Sequence, residues 1–342
     1  MPEFRKDIIL DEWVIIATER AKRPENFKEE KLKIEKQPAG ICPFDRGNEP
    51  MTPPEILRVN SQGHIVGSSD TDDWQIRVVP NKFPALIPDA SAFSKRYGVY
   101  MVMDGFGLHE VVIHSPEHIT NISELDGSRI KMLIKVYLER LRTIKKDTRI
   151  ESVIVMLNQG KEAGASLEHS HSQIFALPLT PPILQRELYR TRSYYKQNNR
   201  CAVCDLLKFE KEEKKRVVFE NKHFIILQPF AARNPFETWI VPKLHHPNFE
   251  QIPEEHVESF AHCLKMTVDF FYRDLNEPPF NFYIHTGPMN SRESYEHYHW
   301  NFELIPKLSI KAGFEIATGI DINITTPEST AEFMKASSAF KG

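Results

Sequence analysis

Two stretches of the chain repeat the same order of hydrophobic and polar positions. In each, a strand-like run ends in a histidine and is followed by an amphipathic helix. The strand-like runs cover residues 109–118 and 236–245, an offset of 127. Further along, the runs 169–178 and 297–306 both begin with His-x-His, at an offset of 128. This near-constant offset predicts two homologous α+β halves.

We expect each half to form an antiparallel sheet carrying packed helices. Pro181 and Pro182 open a polar stretch that reaches about residue 199 and has the composition of a connector. The halves are therefore predicted as residues 1–180 and 181–342. The first half carries the more distinctive sequence block, described below, so we expect it to hold the chemistry.

Composition narrows the range of functions. The 342 residues carry 44 Lys and Arg against 47 Asp and Glu, a net charge of −3, which argues against a nucleic-acid partner and for a small ligand. The apolar runs are far shorter than the roughly 18 residues that cross a bilayer, so no membrane partner is expected. The first residues lack a signal-peptide apolar region, so we expect a cytoplasmic protein. Four cysteines are too few for a disulfide framework.

Each half has a short cysteine-containing tetrad near its start. The first runs from Cys42 to Asp45 and the second from Cys201 to Cys204. A redox pair is disfavoured, because aspartate cannot form a disulfide but can ligate zinc. Adding the histidines that the repeat shares gives two predicted zinc ligand sets. They are Cys42, Asp45, His118 and His169 in the first half, and Cys201, Cys204, His245 and His297 in the second.

The block 158–173 carries the strongest chemical signal. Its loop contains Gly160, Gly164 and small neighbours, so backbone N–H groups can approach an anion closely. Strand alternation then places His169, His171 and Gln173 on one face. A neutral imidazole is a competent nucleophile toward phosphorus, and its phosphorus adduct is labile enough for onward transfer. The alternative is a metal pair, or two histidines satisfied by packing.

The chain resembles the galactose-1-phosphate uridylyltransferase family of the histidine-triad superfamily over nearly its whole length. The motifs that carry the resemblance are 20–24, 79–86, 115–118, 158–173, 235–239 and 297–299. The resemblance implies tandem histidine-triad-like halves and a ping-pong transfer of UMP from UDP-glucose to a hexose 1-phosphate such as galactose 1-phosphate. In this transfer His171 attacks the α-phosphorus and forms a uridylyl-histidine.

The resemblance also implies roles for other residues. Gln173 contacts the transferring phosphate, and Ser166, Asn158 and the Gly160 loop contact phosphate oxygens. Arg20 and Arg23 lie near the phosphates, and Asn81 and Phe83 border the nucleotide. The family also forms homodimers, so a homodimer is expected here.

Some positions depart from the family pattern and leave the substrate open. Ala165 and Glu168 stand where many members have Cys and Pro, and Asp321 replaces a hexose-contacting Gln. The block is also similar to that of ADP-glucose phosphorylases, which transfer AMP from ADP-glucose to phosphate through the same histidine. A nucleotide-binding scaffold and a hydrolase remain further alternatives.

Two further expectations concern the second half and the remaining histidines. The second half is predicted to be catalytically silent, with His299 and Asn301 standing where the first half has His171 and Gln173. An alternative metal set in that half is Glu187, His285, His297 and His299. Six histidines without a partner by spacing are expected at the surface or in satisfied packing, and they are His64, His109, His114, His223, His246 and His256.

Overall fold

A computed structural model describes residues 1–18, 42–67, 73–290 and 293–341. Arg20 and Arg23, which the family resemblance places near the phosphates, lie outside the described residues. None of the described helices combines the length and apolar character that a membrane span requires. The elements below refer to the described part of the chain.

The first half consists mainly of strands. Its elements, in chain order, are β1 (Glu3–Lys6), β2 (Trp13–Ile16), β3 (Leu57–Asn60), β4 (Ile65–Val66), β5 (Trp74–Pro80), β6 (Ser94–Tyr97), β7 (Tyr100–Met103), β8 (Leu108–Ile113), α1 (Gly127–Ile144), β9 (Ser152–Gln159) and β10 (His171–Leu177). The order strand, long helix, strand, strand from β8 to β10 follows the predicted pattern.

The second half begins with two helices and then repeats that order. Its elements are α2 (Pro182–Asn198), α3 (Ala202–Glu213), β11 (Val217–Glu220), β12 (Phe224–Leu227), β13 (Thr238–Pro242), α4 (Glu254–Asp274), β14 (Phe280–His285), β15 (Asn301–Pro306), α5 (Gly313–Thr318), β16 (Asp321–Asn323) and α6 (Pro327–Ala336). The units β8–α1–β9–β10 and β13–α4–β14–β15 are the two copies of the repeat.

Strands from both halves form one eleven-stranded sheet instead of two separate ones. Its order is β11-β12-β13-β15-β14-β9-β10-β8-β5-β3-β4, with antiparallel neighbours throughout. The halves meet where β14 pairs with β9, with Phe280 opposite Gln159. The α+β class with antiparallel sheets is confirmed, and the repeats sit on either side of this central pair of strands.

The two faces of this sheet have different character. The long helices α1 and α4 contact each other on one face and share a continuous apolar core with the strands beneath them. Their periodic apolar positions, such as Leu133 and Leu264, are fully buried there. Among the described residues, the opposite face carries small apolar clusters around Cys42 and Cys201. Strand alternation therefore sends every second side chain to a face where polar groups can gather.

Candidate functional site

β10 presents the predicted nucleophile and its neighbour on the face away from the helices. Ser172 points to the helical face, where the Tyr137 hydroxyl donates to its Oγ at 2.7 Å. His171 and Gln173 therefore point to the opposite face. Antiparallel pairing with β8 and β9 fixes the register of β10 and places Ser172 opposite Val112 on one side and Leu157 on the other. The sheet thus holds His171 in a rigid, central strand.

The His171 ring is oriented by its own strand. Its Nδ1 lies 2.8 Å from the His169 carbonyl oxygen, which can only accept, so Nδ1 carries the proton. The neutral ring then has its lone pair on Nε2. Burial lowers the pKa of His171, which favours this neutral form. The Phe44 ring packs edge-on at 5.2 Å between ring centroids and supports the imidazole from the side.

The loop between β9 and β10 lies next to His171 and is shaped by two glycines. Gly160 and Gly164 have φ values of +84° and +94°, which side chains with a Cβ rarely adopt. A Cβ at Gly160 would also lie 3.0 Å from Cβ of Pro279. Ser166 lies exposed on this loop. The loop is therefore held close to the sheet. The N–H groups of residues 163–165 already donate to carbonyls within the loop, so the exposed Ser166 is the residue of the loop best placed to contact a ligand.

The second half contributes directly to this loop. The Asn281 amide on β14 donates to Asn158 Oδ1 and to the Ala163 carbonyl, both at 2.8 Å. Asn158 in turn donates to the Gly164 carbonyl at 3.4 Å. Sequence reasoning did not identify Asn281, because its partners are more than a hundred residues away. Its position opposite Asn158 on the central strand pair is a product of the fold.

Gln173 contacts His109, which also lies next to Asn81, the residue that follows β5. His109 Nε2 lies 2.7 Å from Gln173 Oε1 and 3.0 Å from Asn81 Nδ2. Asn81 Oδ1 accepts from the Phe83 backbone N–H at 2.9 Å. The Phe83 side chain is 84% exposed, as a ring that receives a ligand from solvent would be. The structure thus brings Asn81 and Gln173 to the same ring nitrogen of His109, a residue that was expected to have only a packing role.

The first predicted zinc set is brought together. Cys42, Asp45, His118 and His169 each offer a ligand atom, and these atoms lie within 4.8 Å of one another. Cys42 Sγ is 3.8 Å from His169 Nδ1, close to the roughly 3.5 Å between neighbouring ligands of a tetrahedral zinc ion. His169 Nε2 lies 2.9 Å from the Ser115 carbonyl oxygen, so its Nδ1 lone pair faces the cluster. This donor set fits zinc.

The second predicted set needs one correction: the histidine is His299 and not His297. Cys201, Cys204, His245 and His299 lie together, with Sγ to Nδ1 distances of 3.4–4.0 Å. His299 Nε2 faces the Pro242 carbonyl at 2.9 Å and His245 Nε2 faces the Glu296 carbonyl at 2.8 Å. Both Nδ1 lone pairs therefore point at the thiols, and this set also fits zinc.

The surroundings of the second set stabilise one thiolate, on Cys201, whereas that neighbouring thiolate and burial raise the pKa of Cys204. The Cys204 thiol lowers the pKa of Cys201, and His245 and His299 lower it further. A thiolate at this position is the form that binds a metal. His297 is not among the four residues that the structure brings together here.

The correction has a physical cause in the strand register. His169 lies two residues before β10, and His299 lies two residues before β15. The Nε2 atom of each ring faces a backbone carbonyl. The two halves therefore correspond at an offset of 130 in this region, because the connection before β15 differs in length from that before β10. A gapless match of the two His-x-His motifs is two residues out of register. Asn301, not His299, occupies the position of His171, and Glu303 that of Gln173.

The alternative metal set of the second half is not assembled. His285 Nδ1 lies 2.8 Å from Glu187 Oε1, and its Nε2 lies 2.9 Å from Glu303 Oε2. His299 belongs to the cysteine cluster instead. Burial opposes a charge on His285, but the two carboxylates dominate and raise its pKa to about 10. His285 is thus an imidazolium held between two glutamates.

Comparison with known proteins agrees with this architecture. Residues 1–181 match the family described as galactose-1-phosphate uridyl transferase, N-terminal domain, and residues 187–339 match its C-terminal domain. The chain belongs to the galactose-1-phosphate uridylyltransferase family. The resemblance seen in the sequence is thereby confirmed, and so is the prediction of an enzyme of this class.

Individual relatives within this family differ in their degree of similarity. The chain is 37% identical to ADP-glucose phosphorylase of Arabidopsis thaliana, over 98% of this chain and 92% of that protein. It is 26% identical to galactose-1-phosphate uridylyltransferase of Thermotoga maritima, over 98% of each. A crystal structure of the Arabidopsis phosphorylase with bound ADP-glucose superposes with a TM-score of 0.82 and 34% identity, covering 99% and 100% of the two chains. The family thus includes enzymes that act on nucleotide sugars.

Proposed function

We propose that this chain transfers a nucleoside monophosphate from a nucleotide sugar through a covalent adduct on His171. The observation that carries the proposal is the orientation of that ring: the His169 carbonyl holds Nδ1–H, which leaves the Nε2 lone pair for attack. Nε2 attacks the α-phosphorus while the bond from that phosphorus to the oxygen of the sugar phosphate breaks. The sugar 1-phosphate leaves, and an acceptor phosphate then attacks the adduct and frees Nε2.

Catalysis in this scheme rests on positioning and on hydrogen-bond donors. The β9–β10 loop with Gly160 and Ser166, together with Asn158 and Gln173, lies beside His171 and supplies groups for the phosphate oxygens. Asn81 and Phe83 border the nucleotide, with the exposed Phe83 ring available to stack on a base.

We propose ADP-glucose as donor and inorganic phosphate as acceptor. The support is the greater similarity to the Arabidopsis ADP-glucose phosphorylase, 37% against 26% for the Thermotoga uridylyltransferase. Ala165 and Glu168 in the nucleophile block also depart from the common uridylyltransferase pattern. The same groups support a second candidate, uridylyl transfer from UDP-glucose to galactose 1-phosphate.

Intact-protein mass spectrometry after incubation with ADP-glucose, and separately with UDP-glucose, tests both candidates. An AMP-sized adduct that is absent in His171→Asn is expected, and phosphate should discharge it. A UMP adduct discharged by galactose 1-phosphate would move the assignment to the second candidate. Discharge by water alone would indicate a hydrolase. Tight nucleotide binding without any adduct would indicate a scaffold and contradict the proposal.

We further propose two zinc ions per chain, one in each cysteine-containing cluster. Zinc would tie each tetrad to one histidine that follows a strand and one that precedes a strand, and it would supply rigidity, not a reacting group. In the first half, the ligand His169 provides the carbonyl that orients His171. The cluster and the nucleophile are thus adjacent in the chain, so metal binding there fixes the start of β10.

A cytoplasmic homodimer remains our proposal for the state of the chain. The hairpin β6–β7 exposes a run of apolar side chains, with Val99 at 90%, Tyr100 at 68% and Met101 at 63% exposed. Exposed apolar surface of this kind is typical of an interface. Light scattering is expected to give twice the mass of the chain, and a monomer would contradict the proposal.

A further inference from the structure

His109 is a buried histidine whose ring is fixed from several sides. It lies on β8 opposite Phe175 of β10, and the two rings stack with 3.9 Å between centroids and 24° between planes. Gln173 is two residues before Phe175 on the same face, within diagonal reach across the strand pair. A stacking role alone would be met by any flat apolar ring, so the polar edge of His109 needs its own explanation.

The contacts of the ring decide where its proton resides. The backbone N–H of Ala85 donates to His109 Nδ1 at 3.2 Å. A backbone N–H is always a donor, so Nδ1 must carry the lone pair. In the neutral ring the proton is then on Nε2. Burial lowers the pKa of His109, which agrees with a neutral ring.

The Nε2 proton has two neighbours, and only one can accept it. Asn81 turns its oxygen to the Phe83 N–H at 2.9 Å, so the group it presents to His109 is an amide nitrogen, which donates. Gln173 Oε1 lies 2.7 Å from Nε2 and is an acceptor. The His109 N–H therefore donates to Gln173.

This hydrogen bond fixes which end of the Gln173 amide faces the site. With Oε1 bound to His109, the Nε2 amino group is the end left over, and in the described part of the chain no hydrogen bond from it is seen. The Gln173 carbonyl oxygen would repel a phosphate if it faced one, whereas the Gln173 amino group can donate a hydrogen bond to a phosphate oxygen.

We propose that His109 is a positioning residue that holds the Gln173 carbonyl oxygen and thereby aims the Gln173 amino group at the phosphate bound beside His171. The proposal rests on the proposed transfer through His171. It assigns His109 to the reaction without contact to the reacting atoms, because it acts through Gln173.

The rate of adduct formation on the full chain tests the proposal, measured in single turnovers at varied concentrations of the nucleotide sugar that labels the wild type. His109→Phe keeps the stacking ring but loses the donor. Its maximal rate is expected to fall about tenfold, a part of the roughly hundredfold that loss of a whole donor costs, with little change in the half-saturating concentration. His109→Gln restores an N–H donor and is expected within about threefold of wild type.

A double-mutant cycle separates positioning from packing. In a Gln173→Ala background, His109→Phe should cause no further loss, because its effect passes through the amide that is already gone. The matched control is His256→Phe, which removes another buried histidine that stacks on a ring, His223, at 3.7 Å. That control should leave the rate unchanged.

Several results would overturn the proposal. An unchanged maximal rate in folded His109→Phe, or a full extra loss in the Gln173→Ala background, would leave His109 with a packing role only. A change confined to the half-saturating concentration would mean that His109 acts on substrate binding through Asn81 and not through Gln173. NMR of the wild type with ¹⁵N-labelled histidine checks the tautomer without any variant, and a proton on Nδ1 would contradict the argument.

The proposed function can fail separately from this inference. If the wild type forms no adduct with either nucleotide sugar, the transfer through His171 is wrong and the role of His109 falls with it. If the wild type forms the adduct and His109→Phe forms it equally fast, only the role of His109 is wrong.

Discussion

The loop between β9 and β10 in the first half depends on one side chain of the second half, and Asn281→Ala should reveal this dependence. The Asn281 amide makes two hydrogen bonds of 2.8 Å, to Asn158 and to the Ala163 carbonyl. At about 1 kcal/mol each, their loss lowers the free energy of unfolding by about 2 kcal/mol. For a chain of this length, that is a fall in melting temperature of roughly 3 °C. The effect on stability alone is therefore modest.

The effect on the rate of adduct formation should be larger, because the loop that we propose contacts the phosphate loses its anchor. A displacement of about 1 Å in a positioned group can cost a hundredfold in rate, so we expect adduct formation to slow by roughly ten- to a hundredfold. The assay is the single-turnover rate of the His171 adduct, measured together with the melting temperature. Loss of stability without loss of rate would refute the reasoning.

Asn290→Ala is the matched control for this experiment. Asn290 is also an asparagine of the second half that binds the first, through the carbonyls of Lys145, Asp147 and Ile150 at 2.9–3.1 Å. These carbonyls lie near the start of β9, about 25 Å along the strand from the loop between β9 and β10. Its stability should fall at least as far as that of Asn281→Ala, with the adduct rate within about twofold of wild type. Equal slowing in both variants would also refute the reasoning.

Two further predictions concern the second half. Cys204→Ser should lower the zinc content from two to one per chain, measured by elemental analysis. Cys263 is buried but lies outside both clusters, so Cys263→Ser should keep two zinc ions. Unchanged zinc in Cys204→Ser would contradict the assigned site. The His285 imidazolium, with its pKa raised to about 10, should stabilise the fold fully below about pH 6.5 and lose that contribution as pH rises toward 10. His285→Gln should therefore unfold more easily at pH 7 and show a shallower fall in melting temperature between pH 7 and 10, and parallel curves would contradict this.

Features that depend on local spacing were predictable from the sequence. The first zinc set followed from the Cys42 tetrad and from histidines that end or begin strands, and the structure brings all four groups together. The placement of His171 and Gln173 on one face required only strand alternation. The first conclusion uses the repeated pattern of the two halves and the second uses a period of two within a single strand, and neither requires the pairing of distant strands to be known.

Features that depend on the length of a connection were not predictable. The choice of His297 over His299 assumed that the second copy has no insertion, yet the segment between β14 and β15 changes the offset to 130. Strand register is set by hydrogen-bond pairing across the sheet, so a match between two sequence motifs does not determine it. His109 and Asn281 were missed for a related reason, because their partners are distant in the chain and meet only through strand pairing.

The corrected register strengthens the prediction that the second half is catalytically silent. Asn301 stands where the first half has His171, so this half has no nucleophile at that position. Glu303 stands in place of Gln173, and its carboxylate would repel a phosphate bound at the corresponding position. That carboxylate is already bound by Arg233 and by His285 at 2.9 Å, and Glu303 itself is buried. An ion-paired network thus fills the space of a phosphate site.

Restoring the nucleophile alone should therefore not restore activity. Asn301→His in the His171→Asn background is expected to give no adduct with ADP-glucose or UDP-glucose by intact-protein mass spectrometry, although the chain stays folded. In an otherwise wild-type chain, Asn301→His should still carry one adduct per chain and not two. Because Glu303 stays paired with Arg233 and His285, the new imidazole has no donor group on the phosphate to assist it. A nucleotide adduct in the double variant would show that the imidazole alone determines which half reacts.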